Sequence, residues 1–209
     1  MTASEKTEQD WRQIAQEFLN EQLNERAPTN LEFAEAFDEK PLNGEGSVAV
    51  LFFELQPPAH ANPCHELDLR HFVVVGETKP NYLPAYGLKA DDAYSLHIGT
   101  RFFLEVGIDR LDPSEEPDNL REKRSEFVRG CNPGAAVSNE ECVLLFRCND
   151  QLFAVYKMTI EQTPVYLVGG DLPPGFITQP DFAPQVALRL HLGRLIRAEA
   201  RRERDGLAK

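Results

Sequence analysis

The first apolar residues of the chain recur with the period of an α-helix. Between residues 7 and 26 they lie three or four positions apart, at Trp11, Ile14, Ala15, Phe18, Leu19 and Leu23. Acidic residues crowd the first turns of this stretch, where the helix dipole favours them. The pattern predicts an amphipathic helix from about residue 7 to residue 26. The next stretch, LEFAEAF (31–37), is predicted to form a short second helix.

The period then changes to that of strands. The runs SVAVLFFEL (47–55) and HFVVVG (71–76) are rich in β-branched and aromatic residues, so both are predicted to be strands. The stretch between them, PPAHANPCHELD (57–68), is expected to be a loop because its prolines would interrupt a ladder of strand hydrogen bonds. A helix is expected from Asp91 to about Gly107.

The second half of the chain repeats this order of elements. The predicted elements are a helix at 120–130, a hairpin of strands 141–148 and 151–160, a third strand at 164–170 and a final helix at about 185–204. LDPSEEPDN (111–119) has two prolines and no periodicity, which predicts a linker. We therefore expect a first unit over 1–110 and a second over 120–209, or one compact domain made of both.

A fixed shift of 94 residues places the second half over the first. It brings Gly76 onto Gly170 and His97 onto His191, and upstream it places Glu32-Phe33 over Glu126-Phe127. Self-similarity of this kind indicates a tandem repeat. The predicted fold is α+β, with two related units of helix, antiparallel strands and helix packed as a pseudo-symmetric pair behind an N-terminal helix. The matched Gly99 and Gly193 indicate close packing of helices.

Charge and composition indicate which kinds of partner and which cellular location to expect. A net charge of −12 disfavours binding to nucleic acid or to anionic membranes. No run approaches the roughly 20 apolar residues of a membrane span, and the polar, acidic start of the chain does not resemble a signal peptide. We expect a cytoplasmic protein whose four cysteines are free thiols. The basic stretch 194–209 is expected to be a solvated helix face or a partner of the acidic N-terminal segment.

Two groups of residues are candidates for chemistry. His97 and His191 fit either paired bases or ligands, or histidines packed within helices. A groove between the two halves would contain these histidines together with Tyr82, Tyr86, Phe176, Glu77 and Asp171.

The second group comprises His60, Cys64, His65 and His71. These four side chains offer donors that zinc accepts, although the C-x-x-C spacing of structural zinc sites is missing. An ordinary loop without metal is the alternative for this segment, and no other cofactor is expected.

The sequence contains no recognisable catalytic motif, so we favour a non-catalytic protein-binding or regulatory module. Its acidity suits a basic protein partner, and the molecule is expected to be a monomer or a homodimer. The order of elements is broadly similar to that of small acidic bacterial chaperones for secreted proteins, an analogy of fold alone. The alternatives are an enzyme or small-ligand binder with its site between the halves, and a zinc-stabilised module.

Overall fold

The computed structural model describes residues 6–38, 47–55, 70–76, 80–179, 182–204 and 206. In this part of the chain the fold is mixed α+β. The helices are α1 (Glu8–Leu23), α2 (Ala90–Glu105), α3 (Asp118–Cys131) and α4 (Pro184–Arg204). The strands are β1 (Leu31–Phe37), β2 (Val48–Glu54), β3 (Arg70–Gly76), β4 (Asn81–Pro84), β5 (Asp109–Leu111), β6 (Val137–Cys148), β7 (Gln151–Ile160), β8 (Thr163–Gly170) and β9 (Gly175–Ile177).

The strands form two antiparallel sheets, one in the order β1-β2-β3-β4 and one in the order β5-β6-β7-β8-β9. The chain divides into two compact units. The first comprises residues 1–98 and 194–209, and the second comprises residues 99–193. Residues 111–119, where the sequence predicted a linker, contain the end of β5, a 3-10 turn at Pro113–Glu115 and the start of α3. The ranges 1–110 and 120–209 stay predictions of domain organisation.

Helix α1 covers one face of the first sheet, as its apolar pattern predicted. Thr7 caps the helix in a reciprocal arrangement with Asp10. Trp11, Ala15 and Leu19, which are four residues apart, are buried against the sheet. The core that they form also contains side chains from three strands, namely Leu31, Ala49, Leu51, Phe53, Val73 and Val75.

Residues 31–37 form the edge strand β1, so the predicted helix at this position is wrong. The strand pairs antiparallel with β2, from Leu31 opposite Phe53 to Phe37 opposite Val48. Alanine and glutamate favour helices, but a stretch of seven residues is too short for propensity to decide its structure. Pairing with the apolar strand β2 satisfies the backbone of β1 and buries Leu31 and Phe37.

The second unit contains the predicted hairpin of β6 and β7. Cys148 lies opposite Gln151, and Asn149 adopts a positive φ of 53° in the connecting turn. The hairpin prediction is therefore confirmed. Strands β4, β5 and β9 were not predicted, because three or four residues are too few to show a period.

Helix α3 packs on the second sheet with a different inward face from that of α1. Its inward positions, again four residues apart, are Leu120, Arg124 and Val128, of which Leu120 and Val128 belong to the apolar core. The core residues contributed by the sheet are Leu145, Ala154, Tyr156, Met158, Val165 and Leu167. Where α1 has Ala15 at the middle inward position, α3 has the guanidinium of Arg124.

The strand ends that the sequence matched at a shift of 94 residues have the same backbone conformation. Gly76 ends β3 with a φ of 141°, and Gly170 ends β8 with a φ of 99°. A side chain at either position would collide with the backbone of a neighbouring strand, at Ser47 or at Leu152. Both glycines are therefore required by strand-exit geometry.

The upstream part of the matched alignment is wrong. At the same shift, Glu32 and Phe33 in strand β1 fall on Glu126 and Phe127 in helix α3. In addition, β2 pairs directly with β3, whereas β7 separates β6 from β8. Further along the chain, the same shift places β3 over β8, β4 over β9 and α2 over α4.

Gly99 allows two helices to approach closely within the second unit. A Cβ atom at this position would overlap the carbonyl oxygen of Arg189 in α4. The helical glycine that the sequence associated with close packing thus has that role.

The basic C-terminal helix pairs with acidic residues of the first unit. Arg194 binds Asp92 at 2.8 Å, and Arg197 binds Asp91 at the same distance. The sequence predicted a solvated face or a pairing with the acidic N-terminal segment, whereas these two carboxylates lie at the start of α2.

Candidate functional site

A groove of about 580 Å³ lies in the second unit between helix α3 and the end of strand β8. Its apolar floor is formed by side chains from the helix and the sheet, namely Leu120, Phe127, Tyr156 and Leu167. Its charged residues are Lys123, Arg124, Glu126 and Asp171. Its far wall is the turn from Gly169 to Pro174. An apolar floor with a few polar groups is typical of binding sites.

Glycine at the end of β8 keeps this space open. Val165 and Leu167 point toward α3 and fill the core, and Gly169 follows them on the same face of the strand. A Cβ atom at Gly169 would be in ordinary contact with Pro174, at 3.5 Å. Since Gly169 has no side chain, the volume between the strand end and the helix remains unfilled.

A network of ion pairs lies beside the groove. The Glu116 side chain is only 5% exposed, and both of its oxygens lie 3.3 Å from an Arg124 nitrogen. Arg121 approaches the same carboxylate at 3.3 Å, and Glu140 lies 3.2 Å from Arg124 Nε. These separations exceed the 2.7–2.9 Å typical of charge-assisted hydrogen bonds, so the hydrogen bonds within the network are long.

Only one of the three nitrogens of Arg124 donates a hydrogen bond to the described residues. Its NH1 group donates to Glu116, and its Nε atom faces Glu140. Its NH2 group makes no hydrogen bond to any residue that the structure describes. A guanidinium presents five N–H donors in a fixed fork, and Arg124 lines the groove. Arg124 therefore brings an N–H donor that the chain does not use to the side of the groove.

Tyr156 lies directly beneath Arg124, whose guanidinium carbon is 4.7 Å from the centre of the phenol ring. Its hydroxyl is buried and forms no hydrogen bond of ordinary geometry with the described residues, although the Glu116 carboxylate is a neighbour. Burial, and then the negative charge of Glu116, raise the pKa of Tyr156 far above its ordinary value. The phenol is thus neutral at every physiological pH.

Asp171 joins three elements at the opposite wall. It accepts hydrogen bonds from the Leu152 backbone N–H and from Lys123 Nζ, both at 2.9 Å. The bond from Leu152, followed by the bond from Lys123, lowers the pKa of Asp171. This carboxylate therefore ties the start of β7 and helix α3 to the end of β8.

Cys142 lies near the same network. Burial, and then the charge of Glu116, raise the pKa of the Cys142 thiol to about 11. The thiol is protonated at neutral pH and is a poor nucleophile. Cys148, the last residue of the same strand, is buried, and Cys131 is exposed; these three cysteines are free thiols.

Two residues of the predicted groove lie at the groove of the second unit. Asp171 lines it, and Phe176 packs against the groove residue Phe127 with ring centres 5.4 Å apart. His191 supports the turn behind it, since its Nε2–H donates to the Pro173 carbonyl oxygen at 2.8 Å. A Cβ atom at Gly175 would be 2.5 Å from the His191 ring. His191 is therefore packed against the turn and does not line the groove.

The other predicted groove residues belong to the first unit or lie outside the described residues. His97 is completely buried in α2. Tyr82 packs on the core beneath α1, 6.3 Å from the Phe53 ring centre. Tyr86 is half-buried in the turn before α2, with a φ of 49°. Glu77 lies outside the described residues.

The proposed zinc ligands are described for one residue only. His71 lies in β3, with its ring 5.8 Å from that of Phe53. His60, Cys64 and His65 lie outside the described residues. Within the part of the chain that is described, no three His, Cys, Asp or Glu residues are placed to hold a metal ion.

Sequence reasoning missed the residues that give the groove its character, namely Glu116, Lys123, Arg124 and Tyr156. One signal was present. In a helix whose apolar residues include Leu120 and Val128, a charged residue midway between them occupies the buried face. Such a charge requires a buried counter-ion, and Glu116 lay in the segment that was predicted to be a linker.

Among the described residues, none of the helices combines the length and apolar composition that a membrane-spanning helix requires. Comparison of the chain with models of protein families, with curated protein sequences and with solved structures gave no match.

Proposed function

We propose that this protein is a non-catalytic binding module that takes an apolar segment of another protein into the groove beside α3. The observation that carries the proposal is the combination of an apolar floor with charged side chains that are already paired within the chain. Lys123 is neutralised by Asp171, and Arg124 by Glu116 and Glu140. Binding to such a surface is driven by burial of apolar area and does not require a charged ligand.

The state of the titratable groups also supports binding over catalysis. A nucleophile or general base needs a pKa close to the working pH. The pKa of the Cys142 thiol is raised to about 11, and that of Tyr156 is also raised. Asp171 is occupied by Leu152 and Lys123. Cys142, Tyr156 and Asp171 are thus unsuited to proton transfer at neutral pH.

The net charge of the whole molecule favours a basic protein as the partner. A net charge of −12 attracts a basic protein and repels nucleic acid and anionic membranes. We extend the proposal to a cytoplasmic protein, monomeric or homodimeric, that acts as a regulatory or chaperone-like module.

The proposal includes an origin by tandem duplication, with the two units forming a pseudo-symmetric pair. The support is the correspondence of β3 with β8, of β4 with β9 and of α2 with α4 at a shift of 94 residues. The matched strand-end glycines Gly76 and Gly170 add to it. In this scheme α3 is the counterpart of α1, and its inward arginine is the change that created the groove.

A second candidate is a small-ligand binder that uses the same groove. Pockets for small molecules have volumes of roughly 300–1,000 Å³, and the groove has about 580 Å³. A metabolite that co-purifies with the protein, and is displaced by filling the groove, would favour this candidate over a protein partner.

The test is to fill the groove and to measure capture of the partner. A photo-crosslinking amino acid at Glu126, which lines the groove, should give one dominant crosslinked protein in native lysate. Gly169→Leu should abolish this product because the new side chain occupies the groove. Gly130→Leu is the matched control, since a side chain at that glycine meets open space.

Equal crosslinking in both leucine variants would contradict the proposal. The zinc-stabilised alternative has its own test: protein purified without added zinc would contain stoichiometric metal and would unfold when treated with a chelator.

A further inference from the structure

The charges around the groove restrict what can bind there. Three cations, Arg121, Lys123 and Arg124, face the carboxylates of Glu116, Glu140 and Asp171 in ion pairs. Glu126 adds one further negative charge at the groove. The site therefore has no surplus positive charge to receive an anion.

A charged ligand would be penalised whatever its sign. A carboxylate in the groove would lose its water and lie near Glu116 and Glu126, which the resident cations do not outweigh. An ammonium group has no acceptor for the N–H groups of Arg124 and would leave them without a hydrogen bond. A neutral ligand avoids both costs.

A neutral ligand must still satisfy the unused donor. Arg124 lines the groove, and its NH2 group makes no hydrogen bond to any described residue. An acceptor placed there gains a charge-assisted hydrogen bond in a partly dehydrated site. Beside it, Leu120, Phe127 and Leu167 provide apolar surface for a side chain.

We infer that the groove recognises an internal, uncharged segment of the partner protein, with a main-chain carbonyl on Arg124 and the adjoining apolar side chain on Leu167 and Phe127. The inference rests on the proposed function and specifies its ligand. A free C-terminal carboxylate is excluded by its charge. The internal peptide bond supplies a neutral carbonyl next to a side chain.

The probe is a pair of peptides that differ only in charge: acetyl-leucyl-phenylalanine amide and the corresponding free acid. Binding is followed by the NMR shifts of the Gly169 and Gly170 amides in the full-length protein. The amide should bind, and the acid should bind roughly tenfold more weakly because of the neighbouring carboxylates.

Two lysine variants separate the donor from the ion pair. Arg124→Lys keeps the positive charge beside Glu116 but removes the guanidinium fork. It should weaken binding of the amide by roughly two- to tenfold, the range expected for one hydrogen bond. Arg121→Lys makes the same change at the other arginine that pairs with Glu116. Because Arg121 does not line the groove, this variant should leave the affinity for the amide unchanged.

Equal affinity for the two peptides, or equal affinity of the wild type and Arg124→Lys for the amide, would overturn the inference. Failure of both peptides to bind, while Gly169→Leu still abolishes crosslinking of the partner, would also overturn it. In that case the groove would remain a protein-binding site for a different ligand, and the proposed function would stand. Loss of the Gly169→Leu effect would instead remove the proposed function itself.

Discussion

Arg197 of helix α4 donates to both the main-chain carbonyl and the carboxylate of Asp91 at the first turn of α2. The same guanidinium donates to Ser95 Oγ at 2.9 Å and lies 5.0 Å and 4.7 Å from the ring centres of Phe37 and Tyr94. Its side chain is 3% exposed. One buried arginine thus joins the C-terminal helix to a strand and a helix of the first unit.

Replacing this residue should destabilise the first unit strongly. Arg197→Ala removes the hydrogen bonds to Asp91 and Ser95 and the packing between two aromatic rings, so we expect a loss of about 2–4 kcal/mol in the free energy of unfolding. Trp11 is the only tryptophan and is buried in this unit, so its fluorescence in urea reports the change. Arg202→Ala, which removes an exposed pair with Glu199, should cost less than about 0.5 kcal/mol. Equal effects of the two substitutions would contradict the assignment.

Two tyrosines of the second sheet should respond in opposite ways to loss of the hydroxyl. Tyr166 Oη donates to the Phe182 carbonyl oxygen at 2.9 Å in a buried position, so Tyr166→Phe should cost about 1 kcal/mol. Tyr156 Oη has no such bond, so Tyr156→Phe should leave the stability unchanged or raise it. Calorimetric melting temperatures give the comparison. A large loss in Tyr156→Phe would mean that the hydroxyl bonds Glu116.

Two glycine-to-alanine substitutions test the close approach of the helices. Gly99→Ala would force a methyl group into the Arg189 backbone and should destabilise the protein by about 1–3 kcal/mol. Gly130→Ala, in the last turn of α3 with open space around it, should stabilise the protein by up to about 1 kcal/mol. Thermal unfolding measures both. The same sign for both changes would be inconsistent with this packing.

Asp171 should contribute to stability in a pH-dependent way. Its pKa is lowered in the folded state by Leu152 and Lys123, so its contribution is present above the ordinary pKa of about 3.9 and is lost as the pH falls through the folded value. Asp171→Asn should be less stable than the wild type at pH 7, and the difference should shrink below about pH 4. Urea unfolding from pH 2.5 to 7 measures it. A constant difference would show that the charge is irrelevant.

The cysteines should differ in reactivity. Proteins that retain only Cys131 or only Cys142 should behave differently toward iodoacetamide at pH 8, because Cys131 is exposed while the pKa of Cys142 is about 11. Cys142 should react slowly, and its rate should rise with pH up to about that value. Fast labelling of Cys142 at pH 8 would contradict its burial beside Glu116.

The elements with a long, clear period were predictable from the sequence. Helix α1 follows from its apolar residues between Trp11 and Leu23, and β2 and β3 follow from continuous β-branched and aromatic runs. Residues 31–37 were mispredicted because their local helix propensity competes with pairing to β2, a contact that no local pattern encodes.

The candidate site was predicted only in part. Asp171 and Phe176 were selected because they occupied matched positions in the two halves of the chain. The network of Glu116 and Arg124 joins the 3-10 turn region to α3 and the sheet, so it depends on tertiary placement. Tyr156 looked like any other strand residue, and its position under a guanidinium is a property of the packed helix.

The division of the chain has a consequence for its synthesis. Residues 99–193 are contiguous and form one unit, whereas the other unit needs both the first 98 residues and the segment from residue 194 onward. On the ribosome, the contiguous unit can therefore fold first. Until Arg197 has left the exit tunnel, Phe37 and Tyr94 lack the guanidinium that packs on both rings in the folded unit.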